Sequence, residues 1–291
     1  MSRLIQLTFK ASEEARTLLS DYLLGLGSEG VAEDIGEEGG VYDFSAYFPM
    51  DEDLGEVIKA LKGYFSMLKD SMPGIEISDI KARQIHSSSW MVWRELLNMV
   101  RAGRRIVIIP PWVEHKAQGD EVVIEINPSL AFGTGHHEST RLCLAGIEEI
   151  IDRGSVGSML DVGCGSGILS ICAALLGVPD ISGFDMDPVA VKESHKNAEN
   201  NSVGDKIKFF TGLIESANGS YDLIVANVYV EPILSMKKAF SERLAQGGSL
   251  VVSGIPVSRG KEVVEGLSTE GFKVFKERSE GEWVSFELRK A

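Results

Sequence analysis

Leu160-Asp161-Val162-Gly163-Cys164-Gly165-Ser166-Gly167-Ile168-Leu169 is the stretch that decides the fold. An apolar strand ends at Val162, three glycines follow at alternate positions, and an apolar helix begins. Glycines suit this place because the turn is tight and a ligand must approach bare backbone. The pattern alone fits any nucleotide-binding α/β protein. Its spacing narrows the choice. Gly-x-Gly-x-Gly is not the Gly-x-Gly-x-x-Gly of dinucleotide enzymes, and the Lys-Ser or Lys-Thr of a phosphate-binding loop is missing.

Outward from the loop, helices and strands alternate. Helix 137–152 precedes strand 158–162, helix 166–176 precedes strand 181–184, and helix 188–201 precedes strand 207–211. Strand 221–226 then precedes a helix from about Val230. Strand 249–253, helix 258–269 and strands 273–277 and 283–289 complete the series, the last two as an antiparallel hairpin at the sheet edge. Repeated βα units give an α/β fold, a doubly wound parallel sheet with ligands at the carboxyl ends of its strands. Two residues stand at those ends. Asp185 closes the strand after the glycine loop, where a carboxylate accepts hydrogen bonds from both hydroxyls of a ribose; Asp187 reads as the cap of the next helix. Asn227 closes the buried run Tyr221–Ala226, and its amide offers both a donor and an acceptor to an amine nucleophile or to the amino-acid end of a cofactor. The rival reading of Asn227 is a turn residue. Asp161 lies beneath the loop, either fixing the glycine backbone or facing the cofactor. A nucleoside cofactor without phosphates, S-adenosyl-L-methionine, matches this loop.

Residues 1–82 read as β (4–9), α (12–26), β (30–35), β (41–48), α (51–68) and β (75–80), the order of a ferredoxin-like α+β domain. Residues 83–103 read as a linker with a short helix around Trp90 and Trp93, whose indoles suit a docking surface, and 104–291 as the α/β domain, opening with strands 105–109 and 121–126. Acidic residues outnumber basic ones, 43 to 29, for a net charge of −14. Such a surface repels nucleic-acid backbones and would attract a basic partner, although charge alone speaks first for acidity that keeps the protein soluble. The three cysteines form no Cys-x-x-Cys pair, and His136-His137-Glu138 lacks metal-ligand spacing, so neither disulfides nor a metal is expected. No apolar run is long enough to span a bilayer and no signal peptide opens the chain, so the expected location is the cytoplasm.

With these residues placed, the chain resembles the ribosomal protein L11 methyltransferase family (PrmA) over nearly its whole length. The likeness rests on Trp90-x-x-Trp93, Ile109-Pro110-Pro111-Trp112, and Asn127-Pro128-Ser129-Leu130-Ala131-Phe132-Gly133-Thr134-Gly135-His136-His137. It continues through Asp161–Gly167, Asp185-Met186-Asp187-Pro188, Asn227-Val228-Tyr229, Ser253-Gly254-Ile255 and Glu280-Gly281-Glu282-Trp283. Asn127, Ser129 and Ser139 depart from the residues common in the family. The resemblance implies a Rossmann-like seven-stranded class I methyltransferase domain, preceded by a domain that recognises ribosomal protein L11. It implies methylation of lysine side-chain amines and an N-terminal α-amine. It further implies cofactor contacts from Thr140, Gly163, Gly165, Asp161, Asp185 and Asn227, with Phe132, Thr134 and Asn227 shaping the amine site. The expected enzyme is a monomer without nucleic-acid or membrane partners. His136 and His137 suit loop ordering better than base catalysis.

Overall fold

The computed structural model describes residues 3–12, 15–28, 30–35, 41–49, 54–71, 75–86, 99–127, 135 and 137–290. Phe132, Thr134, His136, Trp90 and Trp93 lie outside the described residues. The chain divides into two compact units, Met1–Leu97 and Asn98–Ala291.

In the first unit, β1 (Arg3–Ser12), α1 (Arg16–Gly25), β2 (Gly30–Ile35), β3 (Val41–Pro49), α2 (Leu54–Ser71) and β4 (Lys81–His86) follow the expected order. The antiparallel sheet runs β2-β3-β1-β4, as the ferredoxin-like reading requires. Alternation sends Leu7, Phe9 and Ala11 of β1 and Phe44, Ala46 and Phe48 of β3 into one core with Leu19, Leu23, Val57, Leu61 and Phe65 of the helices. One strand moves. The segment 75–80 makes only a bridge, Ile77 to Ala11, and the fourth strand is Lys81–His86. Its exposed Lys81, Ala82, Arg83 and Gln84 carry no apolar alternation, as suits a sheet edge in water.

The second unit opens with a three-stranded sheet of β5 (Val100–Ala102), β6 (Ile106–Ile109) and β7 (Val122–Glu125). The expected linker over 83–103 thus has strand at both ends. Then come α3 (Glu138–Arg153), β8 (Ser158–Val162), α4 (Ile168–Leu175), β9 (Asp180–Asp185), α5 (Pro188–Asn200), β10 (Ile207–Thr211), β11 (Tyr221–Asn227), α6 (Val230–Ser235), α7 (Lys237–Arg243), β12 (Leu244–Pro256), α8 (Gly260–Ser268), β13 (Phe272–Glu280) and β14 (Trp283–Lys290). The seven-stranded sheet runs β10-β9-β8-β11-β12-β14-β13. Its first five strands are mutually parallel, and β14 is antiparallel to both neighbours. The hairpin expected at the edge is there, with β14 inserted inside the sheet.

Central strands face two cores. On β11, Leu223 and Val225 join α3, α4 and α5 on one side, while Ile224 and Ala226 join α6, α7 and α8 on the other. Burial on both faces explains why β8, β11 and β12 read as continuous apolar runs. The small sheet lies over the first of these cores, through Ala102, Ile106, Ile108 and Ile124. Buried Glu148 of α3 accepts from the backbone N–H of Arg104 (2.7 Å) and Arg105 (3.1 Å) and from Arg105 Nε (3.2 Å). Among the described residues no helix is long and apolar enough to cross a membrane.

Candidate active site

The carboxyl ends of β8, β9 and β11 bring Gly163, Asp185 and Asn227 to one edge of the sheet. Gly163, Gly165 and Gly167 all take positive φ, 68°, 52° and 80°. A Cβ on Gly163 would stand 2.8 Å from Val228 Cγ1, and one on Gly167 2.9 Å from Ser194 Cβ. The loop is bound to the next strand: Cys164 N–H donates to the Phe184 carbonyl (2.9 Å) and Gly165 N–H to Asp185 Oδ2 (3.0 Å). Asp185 Oδ1 accepts from Asp187 N–H (3.0 Å), and Asp187 in turn caps α5 by accepting from Val189 N–H (2.8 Å). Pro188 at the first helical position fits that start.

Asp161 departs from one expectation. It does not hold the glycine backbone, a task that falls to Asp185 and the Phe184 carbonyl. Its Oδ2 accepts from Ser170 N–H (3.1 Å) and Ser170 Oγ (2.7 Å), which ties α4 to β8. Complete burial, with the charge of Asp185 nearby, raises its pKa to about 6 against the pull of the Ser170 hydrogen bonds. Its Oδ1 is buried with no hydrogen-bond partner among the described residues.

Asn227 ends β11 with its amide braced. Nδ2 donates to Thr140 Oγ1 (3.2 Å) in the first turn of α3, and Oδ1 is buried without a partner among the described residues. The turn is itself held from several sides. His137 caps it, its Nδ1 accepting from Ser139 N–H (3.2 Å), and its ring meets the Trp283 indole edge-on at 4.6 Å. Arg141 donates from Nη2 (2.6 Å) and Nε (3.0 Å) to Glu280 Oε1. The Gly-Glu-Trp stretch singled out in the sequence therefore braces the start of α3. His137 has a structural place here, as expected.

Gly135, where the motif segment 127–137 re-enters the described residues, is buried with φ 84°. A Cβ on it would meet Ile108 Cδ1 at 2.6 Å and Ile168 Cδ1 at 3.1 Å, so Gly135 itself packs beside the first residue of α4. Sequence reading missed the apolar rim of this edge. Met186, Leu213 and Tyr229 are 73, 52 and 54% exposed just beyond the ends of β9, β10 and β11. Gly212 N–H donates to the Asp185 carbonyl (2.9 Å), which joins the β9 and β10 ends that carry Met186 and Leu213. The signal was available: an apolar residue after the strand-terminal acid, where water would favour a polar one.

Comparison with known proteins now decides the family. The family model described as ribosomal protein L11 methyltransferase (PrmA) matches residues 3–291. The chain belongs to that family. A protein of Thermoanaerobacter pseudethanolicus named ribosomal protein L11 methyltransferase is 37% identical over 257 residues, 87% of this chain and 82% of that one. A Clostridium perfringens protein of the same name is 30% identical over 302 residues, 96% of each. The crystal structure of a ribosomal protein L11 methylase from Lactobacillus delbrueckii subsp. bulgaricus superposes with a TM-score of 0.62 at 28% identity. It covers 67% of this chain and 100% of its own. Members of the family are methyltransferases, and the cofactor is S-adenosylmethionine.

The residues present fit that cofactor. A carboxylate carries about four acceptor sites, and two backbone donors leave Asp185 room for ribose hydroxyls. Asn227 Oδ1 is a buried acceptor in want of a donor. The loop from Gly163 to Gly167 contains no cation, as befits a ligand without phosphate.

Proposed function

We propose that this chain methylates ribosomal protein L11 on lysine side-chain amines and on its N-terminal α-amine. The observation that carries the reading is the family match across residues 3–291, joined to Asp185 and Asn227 at the carboxyl edge of the sheet. In this reading Asp185 takes the ribose hydroxyls, Gly163 and Gly165 lie under the cofactor, Met186 and Leu213 supply apolar surface for its base, and Thr140 and Asp161 support its amino-acid end. When bound, the cofactor supplies a methyl group already activated on a sulfonium. The protein's tasks are to align the amine and to favour its neutral form, the proton passing to water. A free lysine, with a pKa of about 10.4, is almost wholly protonated at neutral pH. An apolar channel disfavours the ammonium and lowers that pKa. Asn227 Oδ1 then accepts from the amine and points its lone pair, and alignment provides most of the rate. Phe132 and Thr134 are assigned to the amine site by the family resemblance. The first unit holds the substrate protein; the acidic chain, at −14, suits a basic one.

The deciding experiment incubates the purified protein with S-adenosylmethionine and recombinant ribosomal protein L11 and reads intact mass. Gains in steps of one methyl group are expected, and Asp185→Ala abolishes them together with calorimetric cofactor binding. Near-normal cofactor affinity in that variant would refute the ribose assignment. Cofactor binding without any mass gain would refute the substrate.

A further inference from the structure

Ser253 lies fully buried near the carboxyl end of β12, directly opposite Asn227 in the parallel ladder. These neighbours reach the same turn of α3. Asn227 Nδ2 donates to Thr140 Oγ1 at 3.2 Å, and Ser253 Oγ donates to the Ser139 carbonyl at 3.0 Å. Ser139 and Thr140 are themselves fully buried.

The backbone explains why Ser253 points there. Between Val252 and Ile255, β12 carries one residue more than its partner β14, which pairs Phe286 with Val252 and Val284 with Ile255. Such a bulge re-aims a side chain and is common beside active sites. Gly254 completes it at φ 80°, and a Cβ there would stand 2.5 Å from the Val228 carbonyl oxygen. The bulge is thus packed against the residue that follows Asn227.

We propose that Ser253 is a positioning residue for methyl transfer, holding the first turn of α3 so that Thr140 keeps the Asn227 amide in place against the amine. The inference rests on the role of Asn227 given above. An amide has a donor end and an acceptor end of nearly equal shape, and its terminal torsion is soft. Contact with Thr140 Oγ1 holds the Asn227 amide where it stands. With Nδ2 committed to Thr140, the carbonyl oxygen is left as the buried acceptor. Loss of the Ser253 bond removes the hold at Ser139, next to Thr140, and lets Thr140 shift against the amide even while His137 and Arg141 keep the rest of the turn.

The test compares wild type with Ser253→Ala, Thr140→Val, Thr140→Ser and the Ser253→Ala/Thr140→Val double variant. Turnover of ribosomal protein L11 and the side-chain amide resonances of Asn227 by nitrogen-15 NMR are both read. Ser253→Ala is expected to lower kcat about tenfold with KM for the protein substrate unchanged, as small misalignment of a reacting group does. It should also move the Asn227 resonances. Thr140→Ser, which keeps the hydroxyl, leaves the Asn227 resonances where they are in wild type. The double variant should be no slower than Thr140→Val, because both changes break one chain of contacts. Ser253→Cys, close in size with a weaker donor, gives intermediate values and serves if the alanine variant does not fold. Unmoved Asn227 resonances in a folded Ser253 variant, or losses that multiply in the double variant, would overturn the proposal. If wild type failed to methylate ribosomal protein L11, the substrate assignment would fall, and the Asn227 resonances would still decide the role of Ser253.

Discussion

Single residues show how tightly the edge of the sheet is packed. Gly254 and Gly247 both sit on β12 with φ near 80°, yet a Cβ on Gly247 meets nothing within 4 Å while one on Gly254 strikes the Val228 backbone. Gly247→Ala should therefore cost only the strain of the left-handed backbone, about 1 kcal/mol. Gly254→Ala should cost about 3 kcal/mol, near the upper end for local strain. Urea unfolding of the two variants checks the contrast, and equal losses would contradict the packing argument. Asp161 gives a pH signature. Its folded pKa is raised to about 6 from 3.8, so the folded state holds this proton more tightly than the unfolded chain. Its contribution to stability is full below about pH 4 and is lost as pH rises through about 6, a change of about 3 kcal/mol. Stability relative to Asp161→Asn should fall by that amount across this window; a difference independent of pH would show that the group titrates normally. The glycine loop, Asp185 and Asn227 could be read from the sequence because each stands at a strand end marked by local pattern. Their supports could not. Thr140 is 87 positions from Asn227, and Ser139 is 114 from Ser253. No periodicity records such pairs.

At the scale of elements, the small sheet over α3 depends on one buried carboxylate. Glu148 satisfies two backbone N–H groups of the β5–β6 turn and pairs with Arg105, and a Cβ on Gly103 would collide with it. Glu148→Ala leaves those groups without an acceptor and should cost about 3 kcal/mol or more. Hydrogen exchange should then show Ile106–Ile109 losing protection well before the central strands β8 and β11. Retained protection would mean that the apolar contacts of Ile106, Ile108 and Ile124 hold the sheet alone. Long periodic elements were legible to within a few residues, because burial on one or both faces writes itself into the sequence. The exceptions have physical causes. β5 is too short to show alternation, and Ile75 and Ile77 alternate like a strand although only Ile77 bridges to the sheet, while polar β4 pairs along its edge.

At the scale of the molecule, the two units have separate cores: Leu7, Phe9, Phe44 and Leu61 anchor one, and the α/β cores share none of them. Residues 98–291 expressed alone should therefore fold and bind S-adenosylmethionine with near wild-type affinity while losing turnover of ribosomal protein L11. Unimpaired turnover would remove the recognition role proposed for the first unit. The place of β14 carries a consequence of another kind. This strand is the latest of those described, yet it lies inside the sheet between β12 and β13, with Trp283 against His137 and Glu280, just before it, gripping Arg141. A nascent chain whose residues beyond about 280 are still in the ribosomal exit tunnel has its glycine loop and Asp185 outside, but α3 lacks the brace that steadies Asn227. The brace on the start of α3 therefore cannot form until Trp283–Lys290 has emerged and paired with β12 and β13.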